Sequence, residues 1–169
     1  MDVLKAIKER RTIREFTEGV PSEEQILTML ESARLAPSSI NRQPWTFGVV
    51  RDKEKIKNIA KVSQPYVENA PVIIVGVADY VKSPEWYPVD LGIALEHMVL
   101  TAQAQGLGTC WVGTFEEEEV KKILKIPSKD LTIVAMLLVG YPKTIPDPKP
   151  RKKLEEIAFR DEWNNPYSK

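Results

Sequence analysis

Between Pro88 and Gln105 the chain offers water almost no side. Leu91, Ile93, Ala94, Leu95, Met98, Val99 and Ala102 cover most of the circumference of a helix turning every 3.6 residues. Such a helix cannot lie on a surface. It is predicted over residues 88–105 as a central, heavily buried element, ended by Gly106 and Gly108. Everything else must pack round it.

The surrounding pattern alternates. Asp2 caps a first helix to about Arg10, through Val3, Leu4 and Ile7. Residues 11–21 read as an irregular connection. Ser22 and Gln25 form a capping box for a second helix that must stop before Pro37. A strand is expected at 45–50, a short helix from 52 or 53 to 62, and a strand buried on both faces at 71–78. A short strand at 109–112, a helix at 116–124 and a strand at 130–141 follow. Residues 142–150 are a proline-rich linker, 151–159 hold one helical turn, and 160–169 form a polar tail. The order α-α-β-α-β-α-β-α-β favours an α/β or α+β sheet about the buried helix.

The totals narrow the chemistry. With 169 residues, one domain with a sizeable core is expected. Basic and acidic residues balance at 24 each, which gives no reason to expect nucleic acid or an anionic membrane as partner. One cysteine, Cys110, excludes an internal disulfide and a thiolate-rich metal site, and one histidine, His97, excludes a histidine-rich metal centre. The first residues carry no basic-then-apolar pattern and no apolar run is long enough to span a bilayer, so the chain reads as cytoplasmic.

Against that neutral background, Arg10, Arg11 and Arg14 stand close to Thr12. Arginines so dense beside a hydroxyl suit one multiply charged anion, most simply a phosphate. The same residues could also be a solvated helix end, favoured by the helix dipole. A second basic group, Lys149-Pro150-Arg151-Lys152-Lys153, could converge on the same phosphate or be a solvated linker. The proline-bounded loop at 37–45 carries Ser38, Ser39, Asn41 and Gln43, which suit a heterocycle with mixed donor and acceptor edges and equally suit a surface turn. Gly113 could let a flat ligand approach the backbone or serve as a turn residue. Gly106 and Gly108 follow a helix, so they make no dinucleotide fingerprint. His97 and Cys110 read as packed residues, and Glu116–Glu119 as a helix N-terminal face. Trp86 and Tyr87 could be a lid or simple packing.

Four stretches, taken together and in order, resemble the nitroreductase family of FMN-dependent oxidoreductases: Arg10-Arg11-Thr12-Ile13-Arg14-Glu15-Phe16, Ala36 to Trp45, Gly106 to Gly113, and Pro150-Arg151-Lys152. The resemblance implies a three-layer α-β-α domain of the α+β class, with a mixed, mostly antiparallel sheet. That domain spans residues 1–159, and the tail 160–169 is free to pack on a partner. It implies a homodimer with FMN at the interface. By position, Arg10 and Thr12 hold the phosphate, joined by Arg151 and Lys149. Arg11 serves the phosphate, the structure or the second subunit. Arg14 lies near the pyrimidine end of the flavin, and Gln64 is a candidate for that edge. Pro37, Ser38, Ser39 and Asn41 come from the partner chain. The backbone at Val112 and Gly113 faces flavin N5.

The implied activity is ping-pong transfer of electrons from NADH or NADPH to a small-molecule acceptor such as a nitro compound, quinone or flavin. The flavin carries that chemistry, so no catalytic side chain is needed. The alternatives are a flavin-binding or redox-sensing module without turnover, and a related flavin-destroying or dehalogenating enzyme. The stretch Tyr80 to Pro88 is a short lid for the family.

Overall fold

A computed structural model of the chain describes residues 2–167. Its elements are α1 (Val3–Glu9), α2 (Glu23–Arg34), β1 (Trp45–Val50), α3 (Lys53–Lys61), β2 (Val72–Asp79), α4 (Tyr87–Ala104), β3 (Gly108–Val112), α5 (Glu117–Leu124) and β4 (Leu131–Gly140). The order is the one expected from sequence. Short 3-10 turns were not foreseen at Ser39–Asn41 and Pro65–Asn69; a third, Leu154–Glu156, falls in the expected turn at 151–159.

The local signals act as their chemistry requires. Asp2 accepts the N–H groups of Leu4 and Lys5. Ser22 and Gln25 complete both halves of the capping box on α2. Gly106, at φ +76°, takes the left-handed position that closes α4, and Leu107 N–H returns to Ala102 O at 2.9 Å. Gly108 is not a helix terminator but the first residue of β3.

The sheet runs β1-β2-β4-β3, with every neighbouring pair antiparallel. The one parallel pairing among the described residues is a bridge from Thr12 to Thr109. Residues 72–78 of β2 are buried throughout, because the sheet is covered on both sides. On one side Val72 and Ile74 meet α2 and α4 through Met29, Leu95 and Met98. On the other, Ile73, Val75 and Val77 meet α3 and α5 through Ile56, Ile59 and Val120. Each fully buried aliphatic side chain stabilises by about 1.5–3 kcal/mol. The result is the expected three-layer α+β arrangement.

The central helix is not enclosed all round by its own chain. Leu91, Ala94, Leu95, Met98 and Ala102 are buried, but Val89 is exposed and Ile93 only half-buried. Val3, Leu4 and Ile7 of α1 are exposed as well, although α1 packs on α4. Beyond β4 the chain exposes Ile145, Leu154, Ile157 and Trp163. The tail forms a small hairpin, with Arg160 N–H on Asn165 O at 2.8 Å and Tyr167 N–H on Ala158 O at 3.0 Å.

The acidic run on α5 is a structural latch. Lys121, with its side chain 5% exposed, contacts Glu117 at 2.8 Å and Glu118 at 2.9 Å. Glu117 also accepts Ile133 N–H at 2.9 Å, tying α5 to β4. Burial pushes the Glu117 carboxyl up, but hydrogen bonds from Lys121, Ile133 and Thr132 outweigh it and hold the group below its ordinary value. Burial pulls Lys121 down, and its bonds to Glu117 and Glu118 outweigh that and raise it. A lowered acid stabilises fully above its ordinary value and loses that contribution as pH falls through the carboxylate range; the raised lysine loses its own only in strong alkali. Lys121→Ala should cost about 1–2 kcal/mol, because both carboxylates can rehydrate. Urea unfolding at neutral pH measures it, and the difference from the parent should shrink in acid.

Candidate functional site

The N-terminal arginines lie where α1 hands the chain to the sheet edge. After Glu9 the chain runs beside β3, with Thr12 bridging Thr109 and Ile13 N–H donating to Thr109 O at 2.9 Å. Phe16 then bridges Pro142, and Thr17 N–H donates to Tyr141 O at 2.9 Å. Ile13 and Phe16 are buried while Thr12 and Arg14 are exposed, so the strand-like alternation turns the polar members outward.

The two basic groups of the sequence meet. Arg10, Arg11, Thr12, Arg14, Lys149 and Arg151 line one cavity of about 190 Å³, with Pro146 and Asp147. Five cationic side chains stand against one carboxylate, with a hydroxyl among them. Arg11 Nε is buried without a hydrogen-bond partner among the described residues. These donors fit a phosphate monoester, which offers oxygens for several cations at once. Lys149 and Arg151 are exposed, as a solvated linker would be, but they line the same cavity as the N-terminal arginines.

The arginines differ in what holds them. Arg11 Nη1 donates to Lys8 O at 3.0 Å and Arg10 O at 2.9 Å, so its guanidinium closes the end of α1 as well as lining the cavity. Arg14 sits over the Tyr66 ring at 5.3 Å, an arrangement that fixes a cation by the ring quadrupole. Arg151 Nη1 lies on Lys149 O and Pro150 O, both at 3.2 Å. Burial pushes the Cys110 thiol up, with the Arg14 charge opposing it, so Cys110 is the inert core residue that its neighbours implied. His97 Nδ1 lies 3.1 Å from Ser32 O, a donor to a carbonyl on a neighbouring helix.

The remaining expected site residues lie elsewhere. Pro37, Ser38 and Ser39 line a second cavity of about 240 Å³ with Trp86, Val89, Asp90 and Ile93, sharing no residue with the first. Asn41 closes the 3-10 turn of that loop. Gln64 begins the turn at Pro65–Asn69, the turn that carries Tyr66 under Arg14. Val112 is buried at the end of β3, and Gly113 is exposed beyond it. A Cβ added at Gly113 would meet nothing within 4 Å, so that backbone has an open face. Tyr87 packs against Tyr80 with ring centroids 6.5 Å apart, while Trp86 is exposed over the second cavity. Sequence reasoning missed Tyr66 and Asp90; a lone aromatic and a helix first-turn acid carry no signal without the fold.

Comparison with known proteins places the chain in a family. A sequence model of the Nitroreductase family matches residues 7–64 and 58–141. Lys149 and Arg151 lie beyond that match, so their part rests on the cavity alone. A putative NADH dehydrogenase/NAD(P)H nitroreductase of Methanothermobacter thermautotrophicus is 35% identical over 155 residues, covering 86% of this chain and 80% of the relative. The FMN reductase [NAD(P)H] of Bacillus subtilis is 29% identical, covering 97% of this chain and 75% of that protein. The solved structure of a nitroreductase family protein from Clostridium novyi superposes with a TM-score of 0.80 at 33% identity, covering 99% of this chain and 97% of that one. The chain belongs to the nitroreductase family.

Proposed function

We propose that the protein is an FMN-dependent NAD(P)H oxidoreductase that works as a homodimer. The observation that carries the reading is the joint cavity of Arg10, Thr12, Arg14, Lys149 and Arg151. Relatives named for FMN and for NAD(P)H support the cofactor and the electron donor. FMN, when bound, supplies the hydride-accepting centre. Arg10, Thr12, Lys149 and Arg151 grip its phosphate. Arg14, steadied on Tyr66, puts a positive charge beside the ring system, and Gln64, which begins the turn carrying Tyr66, is assigned to the pyrimidine edge. The open backbone at Gly113 lets the ring approach closely, with a main-chain donor toward N5.

Two observations support the dimer. Exposed apolar residues on α1, Val89 on α4 and the apolar side chains of the C-terminal stretch have no cover in one chain. Pro37, Ser38, Ser39 and Asn41 sit apart from the phosphate cavity, as residues that complete a partner's site would. On this reading residues 1–159 form one domain and the tail 160–169 packs on the second subunit. Among the described residues no helix is long and apolar enough to cross a membrane. A cytoplasmic location, where nicotinamide donors are abundant, goes with this function.

The order of events is ping-pong: donor product leaves the pocket before a nitro compound, quinone or flavin enters it. Purified protein should be yellow, bleach anaerobically with NADH or NADPH alone, and recover on adding an acceptor. Bleaching that requires the acceptor to be present would exclude the ping-pong order. Yellow protein that never bleaches would identify a flavin binder without turnover.

A further inference from the structure

Two loops converge on one buried carboxylate. Asp90, in the first turn of α4, is 2% exposed. Its Oδ1 accepts the Ser39 N–H at 2.8 Å, and its Oδ2 accepts the Ser83 hydroxyl at 3.0 Å. Ser83 is itself 0% exposed. Ser39 belongs to the loop at 37–41 and Ser83 to the short lid at 80–86. Two further bonds tie the residues just after the loop to the end of β2 and to the lid: Asp79 N–H to Pro44 O at 2.8 Å, and Lys82 Nζ to Gln43 O at 3.3 Å.

The loop so held is strained. Ile40, Asn41 and Gln43 have φ of 41°, 58° and 48°. For a β-branched residue such as Ile40 this is a genuine outlier, which persists only where the surroundings impose it. The restraints bracket the run: Asp90 takes the Ser39 N–H on one side, and Ser38 Oγ accepts the Gln43 N–H at 2.9 Å on the other. Burying a carboxylate is unfavourable unless its bonds are well made. No ion pair reaches Asp90 among the described residues; its two bonded partners both belong to segments that flank the second cavity.

We propose that Asp90 is a positioning residue, which holds the 37–41 loop in its left-handed geometry for the flavin and locks it to the lid at 80–86. The proposal rests on the assignment of that loop to the FMN site. Because one carboxylate serves both segments, loop and lid are set together. A change in lid sequence would then alter flavin contacts as well as acceptor access.

Asparagine at this position can keep both bonds, its carbonyl accepting from Ser39 and its amide donating to Ser83 Oγ. Alanine can keep neither. The test is a titration of apoprotein with FMN, well below each unfolding midpoint, with visible circular dichroism of the bound flavin. Asp90→Ala should raise the FMN Kd about tenfold or more and change the flavin band at saturation, since a loosened support displaces what it positions. Asp90→Asn should stay within about threefold of the parent and keep its band, and Ser83→Ala should fall between them. Asp90→Ala protein with a lower unfolding midpoint but the parental Kd and band would overturn the proposal, because that is the signature of a purely structural residue. If Asp90→Ala does not fold, Ser83→Ala decides: unchanged Kd and band overturn it. Parent protein that binds no FMN would overturn the cofactor reading itself, and is recognised before any variant is made.

Discussion

Arg10→Ala should weaken FMN binding by about 1.5–3 kcal/mol, on the order of ten- to a hundredfold in Kd, while leaving the apoprotein folded. The side chain lines the cavity with Lys149 and Arg151 and is half-exposed, so its removal leaves no hole in the core. What is lost is a charge-assisted contact to phosphate, and water cannot replace its charge. Arg151→Ala should act in the same direction. The pair share one anion, so the double variant should depart from the sum of the singles. Riboflavin, which lacks the phosphate, provides the control. Parent and variant should bind riboflavin alike and differ only toward FMN. Equal FMN affinity in the two proteins would remove Arg10 from the site.

Gly108→Ala should destabilise the apoprotein by about 1–3 kcal/mol, the usual range for overpacking a filled site. A Cβ at Gly108 would stand 2.5 Å from Ile13 Cγ1 and 2.9 Å from Ile13 Cβ, closer than carbon atoms can approach. Either Ile13 leaves its buried seat or the segment lifts from β3, breaking the 2.9 Å bond from Ile13 N–H to Thr109 O. Thr12 and Arg14 flank Ile13 and line the cavity, so FMN affinity should fall with stability. Gly113→Ala separates the two effects. Its Cβ would meet no atom within 4 Å, so the urea midpoint should hardly move. Any change there should appear only with flavin bound. An unchanged midpoint for Gly108→Ala would show that the segment does not need that close approach.

How much of this was legible beforehand varies with the range of the interaction. Caps and periodicity are local, so α2 with its Ser22–Gln25 box and the buried run of β2 could be read directly. The strand order was not readable, because β2 and β4 pair across α4, β3 and α5, and nothing in either strand names its partner. The same holds at the site. The density of Arg10, Arg11 and Arg14 suited an anion or a solvated helix end, and only the fold shows Arg151 lining the same cavity and Tyr66 beneath Arg14. Gly108 looked like helix punctuation. Its real constraint is Ile13, nearly a hundred positions earlier in the chain. Asp90 looked like an ordinary first-turn acid on a helix, where such residues are favoured for local reasons. Its partners lie on two other segments.

The cavity between Arg10 and Arg151 joins two stretches with nearly the whole described chain between them. One of these stretches, 143–153, is exposed throughout and carries no regular hydrogen-bonded element. On the proposed function, an anion held by both would act as a removable staple on the chain, closing a very long loop at little added entropic cost once the fold is formed. The prosthetic group would then guard the polypeptide as much as the polypeptide guards it. Flavin-depleted protein should be nicked by protease after Gly140 long before the core yields, and added FMN should close that window in proportion to its occupancy.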